Sequence, residues 1–366
     1  MDTESVLDVF RRRPTEEILT EDDLREMIES GVPLKHYIGF EISGKITLGT
    51  GIGCMMKVAD LSQIGVSCTI FLADYHSFLN NKLGGEWDNI RRASEYFREG
   101  MLGCIKALGG KLTNIQLTLG SELYHHNDDY WRSVLEISKH VSIGRIMRSI
   151  TILGRKEKEL TSFAQLIYPP MQVADIFAQD VNIAHAGIDQ RKAHVIAREV
   201  GLKVKRYKPI ALHHHLLLGL QKPGTWPIPD DVDRQNLWSE MKMSKSRPET
   251  AIFVTDSKKT IQKRFKKAFC PEKIADFNPV LDWAKHIILR TPGSFLEVTR
   301  PSKFGGDITF SSYEELEEAF VQGKLHPADL KQSVAERIGQ LLEPVRAHFA
   351  GKENLIELIE TFSVTR

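Results

Sequence analysis

The chain predicts an α/β fold: a doubly wound, Rossmann-like parallel sheet with a helical insertion, followed by a mostly α-helical C-terminal domain. Three observations carry this prediction. A short apolar stretch at His36–Phe40, a glycine-rich turn at Glu41–Gly51, helix-spaced apolar residues over Ile52–Ile64 and a second apolar stretch at Ser67–Ala73 follow one another. Strand, glycine turn, helix and strand make one half of a nucleotide-binding sheet. The same alternation returns over residues 167–200, and after Pro248 helix-patterned charged segments take over.

Each element has its own warrant. Thr20-x-x-Asp23 opens a helix that should stop near Gly31-Val-Pro33, because a side-chain oxygen caps the first turn and Gly-Pro cannot continue it. Met1–Glu29 as a whole reads as charged and helix-patterned. His36–Phe40 is aromatic and apolar and predicts a buried strand. Ile52, Met55, Met56, Ala59 and Ile64 recur near helical spacing, and Gly65 ends that helix. Residues about 80–165 are mostly helix-patterned and predict an insertion between the two halves of the sheet. Gln221–Asp233 is rich in Pro, Gly and Asp and predicts a surface loop. Lys258–Lys267 is a basic helix, and Ser312-x-x-Glu315 a capping box opening an acidic one. Val334, Ile338, Leu341, Leu342 and Val345 share one helical face. The expected division is residues 1–240 as the sheet domain, 241–257 as a lysine-bearing loop and linker, and 258–366 as a helical domain.

Composition narrows the function. The 366 residues carry a formal net charge of +1, so any nucleic-acid surface must be a local patch. Cys54, Cys68, Cys104 and Cys270 form no C-x-x-C pair, which fits a reducing compartment and argues against a disulfide framework or a zinc ribbon. No apolar run approaches ~18 residues, and the N-terminus lacks the apolar core of a signal peptide, so the expected location is the cytoplasm.

Four clusters carry chemistry. Gly44-x-x-x-x-Gly49 imitates a phosphate-binding loop, but Thr50 stands where that loop needs lysine. It reads equally as a packing turn or as a backbone approach to a nucleotide at a helix N-terminus. Tyr168, Gln172 and Asp175 fall at i, i+4 and i+7, a polar stripe among apolar neighbours. Such a stripe lines a binding pocket or forms a satisfied core network. Gly187-Ile-Asp189-Gln190-Arg191-Lys192 is an exposed helix start, or else offers a ribose partner, a substrate amide and a basic edge. Lys242-Met-Ser-Lys245-Ser places two ammonium groups on mobile stems, suited to gripping phosphate oxygens. His213-His214-His215 predicts a strand end or turn rather than a metal site, because adjacent side chains on a regular element diverge.

In this order the motifs resemble the tyrosyl-tRNA synthetases of archaeal and eukaryotic type. The resemblance runs from about Thr15 to Arg346. It rests on Tyr37-Ile-Gly-Phe-Glu41-x-Ser-Gly44, Tyr168-x-x-x-Gln172-x-x-Asp175, Gly187-x-Asp189-Gln190-Arg191-Lys192 and the lysine pair. Ala268-Phe-Cys-Pro271, Lys303-Phe-Gly-Gly-Asp307 and Leu325-His-Pro-x-Asp-Leu-Lys331 extend it. The resemblance implies a homodimeric ligase that uses L-tyrosine, Mg-ATP and tRNA(Tyr), with no metal tightly bound to the protein. It implies that Tyr37 and Asp175 bracket the tyrosine hydroxyl, that Tyr168 and Gln172 hold the α-ammonium, and that Gln190 completes the pocket. Asp189 would meet the ATP ribose, with Glu41, Gly44 and Gly49 also on ATP. Lys242 and Lys245, with Thr47 and Thr50, would serve the phosphates. Arg148, Arg191 and Lys192 match acceptor-stem positions, and Phe304, His326 and Asp329 match anticodon-reading positions.

Two features depart from that family. Its helix start usually carries His-Ile-Gly-His, where this chain has Thr47-Leu48-Gly49-Thr50. A hydroxyl donates to a phosphate oxygen but carries no positive charge. Ile42 stands where proline is common. The sister tryptophan enzymes share the fold and the lysine motif, but an indole N–H cannot accept a hydrogen bond, so Asp175 facing Tyr37 favours tyrosine. The rival from another class is a non-catalytic tRNA-binding relative, to which Thr47 and Thr50 lend the only support.

Overall fold

In the computed structural model, which describes residues 1–154 and 157–362, six strands form one sheet. They are β1 (Thr15–Leu19), β2 (Lys35–Phe40), β3 (Ser67–Leu72), β4 (Ile115–Leu119), β5 (Ile183–Gly187) and β6 (Ile210–His214). Their order is β1-β6-β5-β2-β3-β4, parallel except for the antiparallel edge pair β1 and β6. The chain winds from β2 outward through β3 and β4, then returns to the other side of β2 through β5 and β6. The switch between β2 and β5 leaves a crevice at the strands' carboxyl ends, where ligands bind in such sheets.

Most sequence-predicted elements fall in place. Thr20 caps the helix Glu21–Glu29 by accepting from Asp23 N. The basic helix is Lys258–Lys267, and Gln221–Asp233 has no regular structure. Ser312 Oγ accepts from Glu315 N, while the Glu315 carboxylate reaches Ser311 N, one residue earlier than in the usual box. Two strands depart from the sequence prediction. β1 sits in a segment whose pattern predicts helix. Its Glu16 and Glu17 meet His215 and His213, partners about 200 residues away that no local pattern reveals. β4 lies within the stretch predicted as insertion, and its pairing with β3 extends the first half of the sheet to Leu119. The helical insertion proper is therefore residues 120–166.

The C-terminal third is helical apart from a hairpin of Leu296–Val298 with Ile308–Phe310. It shares an apolar core with the sheet: one cluster joins Ile46, Ile52 and Tyr96 to Phe265, Ile338 and Phe349. A buried ammonium secures the N-terminus. Lys57 Nζ donates to the carbonyls of Val9 (2.6 Å), Phe10 (3.0 Å) and Arg12 (2.8 Å), satisfying the end of the first helix.

His215 joins β6 to the C-terminal third. Its Nδ1 lies 2.5 Å from Glu16 Oε1 and its Nε2 2.7 Å from Asp282 Oδ1. Burial alone would lower its pKa, but Asp282 and Glu16 outweigh it and push it up to about 9. A raised folded-state value stabilises the fold fully below the ordinary histidine value and loses that stabilisation as pH rises through about 9. Thermal midpoints should therefore fall between about pH 6.5 and 9 with a slope that His215→Gln removes. Equal slopes in both proteins would show that another group is responsible.

Candidate active site

The crevice encloses about 290 Å³. Its walls come from β2 and the turn after it (Tyr37, Glu41, Ser43), from the helix Tyr168–Ala178 (Tyr168, Gln172, Asp175), from the turn after β5 (Asp189, Gln190) and from Lys245. The i, i+4, i+7 stripe thus faces a cavity.

The inner end is built around Asp175, which is fully buried. Its Oδ1 accepts from Tyr124 Oη (2.7 Å) and Tyr130 Oη (3.0 Å), while Oδ2 has no hydrogen-bond partner among the described residues. Burial pushes its pKa up to about 8, although the two tyrosine hydroxyls pull the other way. Tyr37 lines the same end. Gly39 makes room for it: a Cβ there would lie 2.6 Å from Tyr37 Oη. Midway, Gln172 Nε2 donates to Gln190 Oε1 (3.3 Å), and Gln190 Nε2 to the Ile152 carbonyl (2.9 Å). Gln172 Oε1 stays buried without a hydrogen-bond partner among the described residues.

The outer end is charged. Lys242 Nζ donates to Asp189 Oδ2 at 2.8 Å. Lys245 Nζ donates to Ser43 Oγ (2.8 Å) and the Ser43 carbonyl (3.3 Å), beneath the Phe97 ring at 5.2 Å. Burial, aided by repulsion from Lys82 and opposed by Glu41, brings the Lys245 pKa down to about 7. Lys82 is a third cation here, 3.4 Å from Glu41 Oε2 and only 12% exposed. It sits in Asn81-Lys82-Leu83-Gly84-Gly85, where Asn81, Leu83, Gly84 and Gly85 all take positive φ. The glycine pair is the sequence signal for that turn.

The threonine turn is held from within. Thr47 Oγ1 accepts from Thr50 N (3.2 Å) and donates to Thr50 Oγ1 (3.1 Å). Thr50 lines the crevice; Thr47 is 4% exposed and does not. Gly44 has φ +94° and belongs to the turn. At Gly49 a Cβ would meet only Thr47 Oγ1, at 3.9 Å, whereas at Gly51 it would strike Val254 at 2.5 Å. Gly51 is the packing glycine; neither Gly44 nor Gly49 lines the crevice.

Lys192 Nζ donates to the Arg148 carbonyl (2.8 Å), and Arg191 Nε to Glu17 Oε2 (2.8 Å); none of these three bases lines the crevice. His326 Nδ1 accepts from Ala328 N (3.1 Å) and caps the helix Pro327–Leu341, with Asp329 in its first turn. Phe304 ends the turn Ser302–Phe304; its side chain lies outside the described residues. None of His326, Asp329 and Phe304 lines the crevice.

The histidines hold one another. His36, His185 and His214, on three neighbouring strands, form a chain of contacts at 2.9 Å and 2.8 Å that ends 3.3 Å from Cys54 Sγ. Burial keeps all three pKa values low. Among the described residues, His215, Asp282 and His286 bring three possible metal donors together. The two imidazoles stack at 3.7 Å and 7°, so an ion shared by both nitrogens would lie far out of both ring planes. The group fits a shared proton better than a metal.

The profile of tRNA synthetases class I (W and Y) matches residues 29–343. The tyrosine–tRNA ligase of Thermococcus sibiricus is 50% identical over the full length of both chains. The chain belongs to the tyrosyl-tRNA synthetases. That of Pyrococcus abyssi is 49% identical, again over all of both chains. The structure of the tyrosyl-tRNA synthetase of Pyrococcus horikoshii, solved with L-tyrosine, superposes with a TM-score of 0.95 at 48% identity, over 99% of this chain and 100% of that one. The tryptophanyl-tRNA synthetase of Aeropyrum pernix shares the fold (TM-score 0.67) at 16% identity. No helix among the described residues is long and apolar enough to cross a membrane.

Sequence reasoning misses Tyr124, Tyr130, His76 and Lys82 as parts of the site. The two tyrosines come from the helical insertion, and no spacing in the chain ties them to Asp175. Asp74 and His76 are visible as polar groups just past β3, without a role.

Proposed function

We propose that this crevice activates L-tyrosine with Mg-ATP and passes the tyrosyl group to the 3′ end of tRNA(Tyr), as the family to which the chain belongs does. The observation that carries the residue roles is the open Oδ2 of Asp175 beside Tyr37, in the same cavity as Lys245. A phenol hydroxyl donates to that oxygen and accepts from Tyr37. Tyr168, Gln172 and Gln190 take the α-ammonium, for which the unpaired Gln172 Oε1 is suited.

A tyrosine carboxylate oxygen then attacks the α-phosphorus. The bond to the β-bridging oxygen breaks, and pyrophosphate leaves with the electron pair. Lys245 in the crevice, Lys82 on Glu41 and Lys242 on Asp189 would meet the charge that develops on the phosphates, with Thr50 and Glu41 on the crevice wall and Gly44 and Gly49 in the turn beside them. Asp189 binds the ribose and must release Lys242 to do so, which frees that ammonium for phosphate. In the second step the terminal ribose hydroxyl of tRNA attacks the tyrosyl carbonyl and expels AMP. Arg148, Arg191 and Lys192 would hold the acceptor end, and Phe304, His326 and Asp329 the anticodon.

On this reading residues 1–240 are the catalytic domain, 241–257 the lysine loop with its linker, and 258–366 the anticodon-binding domain. The protein works in the cytoplasm as a homodimer joined through the insertion, where Leu135 and Ile143 are 67% and 80% exposed. ATP–pyrophosphate exchange tests the reading. Exchange is expected with tyrosine and not with tryptophan or without an amino acid. Exchange with tryptophan alone would select the sister enzyme, and none at all with tRNA binding intact would select a non-catalytic relative.

A further inference from the structure

His76 has no hydrogen-bond partner on either ring nitrogen among the described residues, yet it is only 2% exposed. Burial keeps it neutral, bringing its pKa down to about 3. A neutral imidazole carries one N–H, and a buried donor left without an acceptor is costly. The ring is held in place: it stands edge-on to Tyr168, with centroids 4.4 Å apart at 88°. Its helix, Asp74–Leu79, is tied down by Asp74 Oδ1, which accepts from Ser121 N at 3.0 Å. His76 also lines the crevice.

The Nε2 atom of His76 lies 3.6 Å from Asp175 Oδ2, too far for a hydrogen bond. Tyr124 and Tyr130 both take Oδ1, so Oδ2 is unpartnered as well. A donor and an acceptor thus stand side by side at the inner end, both unfilled, with Tyr37 on the same wall. A hydroxyl has one hydrogen to give and two lone pairs to fill. We infer that His76 is the third hydrogen-bonding group of the phenol site: its Nε2–H donates to the substrate oxygen whose proton goes to Asp175 Oδ2, while Tyr37 fills the second lone pair.

This assignment rests on the proposed placement of tyrosine and makes a sharper claim about it. A site with two donors and one acceptor selects a group that can both give and accept. Phenylalanine offers neither. 4-Aminophenylalanine gives a hydrogen to Oδ2 but accepts poorly, so His76 sets the preference for hydroxyl over amine.

The test compares kcat/KM in ATP–pyrophosphate exchange for tyrosine, phenylalanine and 4-aminophenylalanine in the unmodified enzyme, His76→Leu and His76→Gln. His76→Leu is expected to lower the value for tyrosine by about tenfold to a hundredfold, with little change for the other two. His76→Gln, which keeps an N–H, should recover part of the loss. Equal losses for all three amino acids in the leucine variant, or no recovery with glutamine, would overturn the assignment and leave tyrosine as the substrate. If His76→Leu does not fold, the glutamine variant decides: a selectivity for tyrosine over phenylalanine between those of the unmodified and Asp175→Ala enzymes supports the assignment, and one equal to either overturns it. A phenol seated away from Asp175 in a tyrosine complex would instead remove the placement on which the assignment stands.

Discussion

Asp175→Ala is expected to lower kcat/KM for tyrosine by about 10²–10³-fold in ATP–pyrophosphate exchange, while activation of phenylalanine barely changes. A hydrogen bond to a buried charged group contributes about 1.5–3 kcal/mol, and removing Asp175 leaves the Tyr124 and Tyr130 hydroxyls unpaired in the pocket wall. Selectivity therefore collapses from the tyrosine side. Tyrosyl-tRNA synthetases are themselves the established example of such discrimination, at about 10⁵ for tyrosine over phenylalanine, and that known figure sets the scale of what a hydroxyl-binding site achieves. The pH profile adds a second reading. Burial brings the Asp175 pKa up to about 8 in the empty site, and a protonated Oδ2 accepts from the phenol far more weakly than a carboxylate oxygen. kcat/KM for tyrosine should rise with pH toward that value, and Asp175→Asn should lose this limb. A profile flat over this range in the unmodified enzyme would show that Asp175 is already ionised.

The lysine pair should separate into two phenotypes. Lys245 is anchored by Ser43 at the mouth of the crevice, and Lys245→Ala is expected to lower kcat by about 10²–10³-fold with KM for tyrosine unchanged. Lys245→Arg should rescue poorly, because a planar guanidinium does not replace a point charge against Ser43. Lys242 is held on Asp189 at 2.8 Å. Lys242→Ala removes a phosphate cation and also frees Asp189 for the ribose, so kcat and KM for ATP should both fall. A rise in KM for ATP would mean that the ion pair does not compete with the nucleotide.

The inner pocket shows how far residue patterns reach. Tyr37, Tyr168, Gln172, Asp175 and Gln190 are legible because strand ends, helical spacing and glycine turns are local, and their order in the chain is distinctive. The groups that tune Asp175 are not. Tyr124 and Tyr130 approach it from the insertion across some 45–51 positions, and nothing in their own neighbourhood marks them. β1 escapes for the same reason: its acidic residues are satisfied by histidines on and just past the adjacent strand β6, about 200 positions away in the chain. The lysine loop is legible as a pair of ammonium groups. Its resting contacts, Lys242 on Asp189 and Lys245 on Ser43, depend on a fold that brings positions about 53 and 202 residues apart together.

The most direct test of the account is a crystal structure with tyrosine and a non-hydrolysable ATP analogue bound together. The phenol oxygen is expected within hydrogen-bond reach of Asp175 Oδ2, with the ribose on Asp189 and Lys242 moved onto phosphate. A phenol lodged elsewhere, or a nucleotide bound while Lys242 stays paired with Asp189, would contradict it.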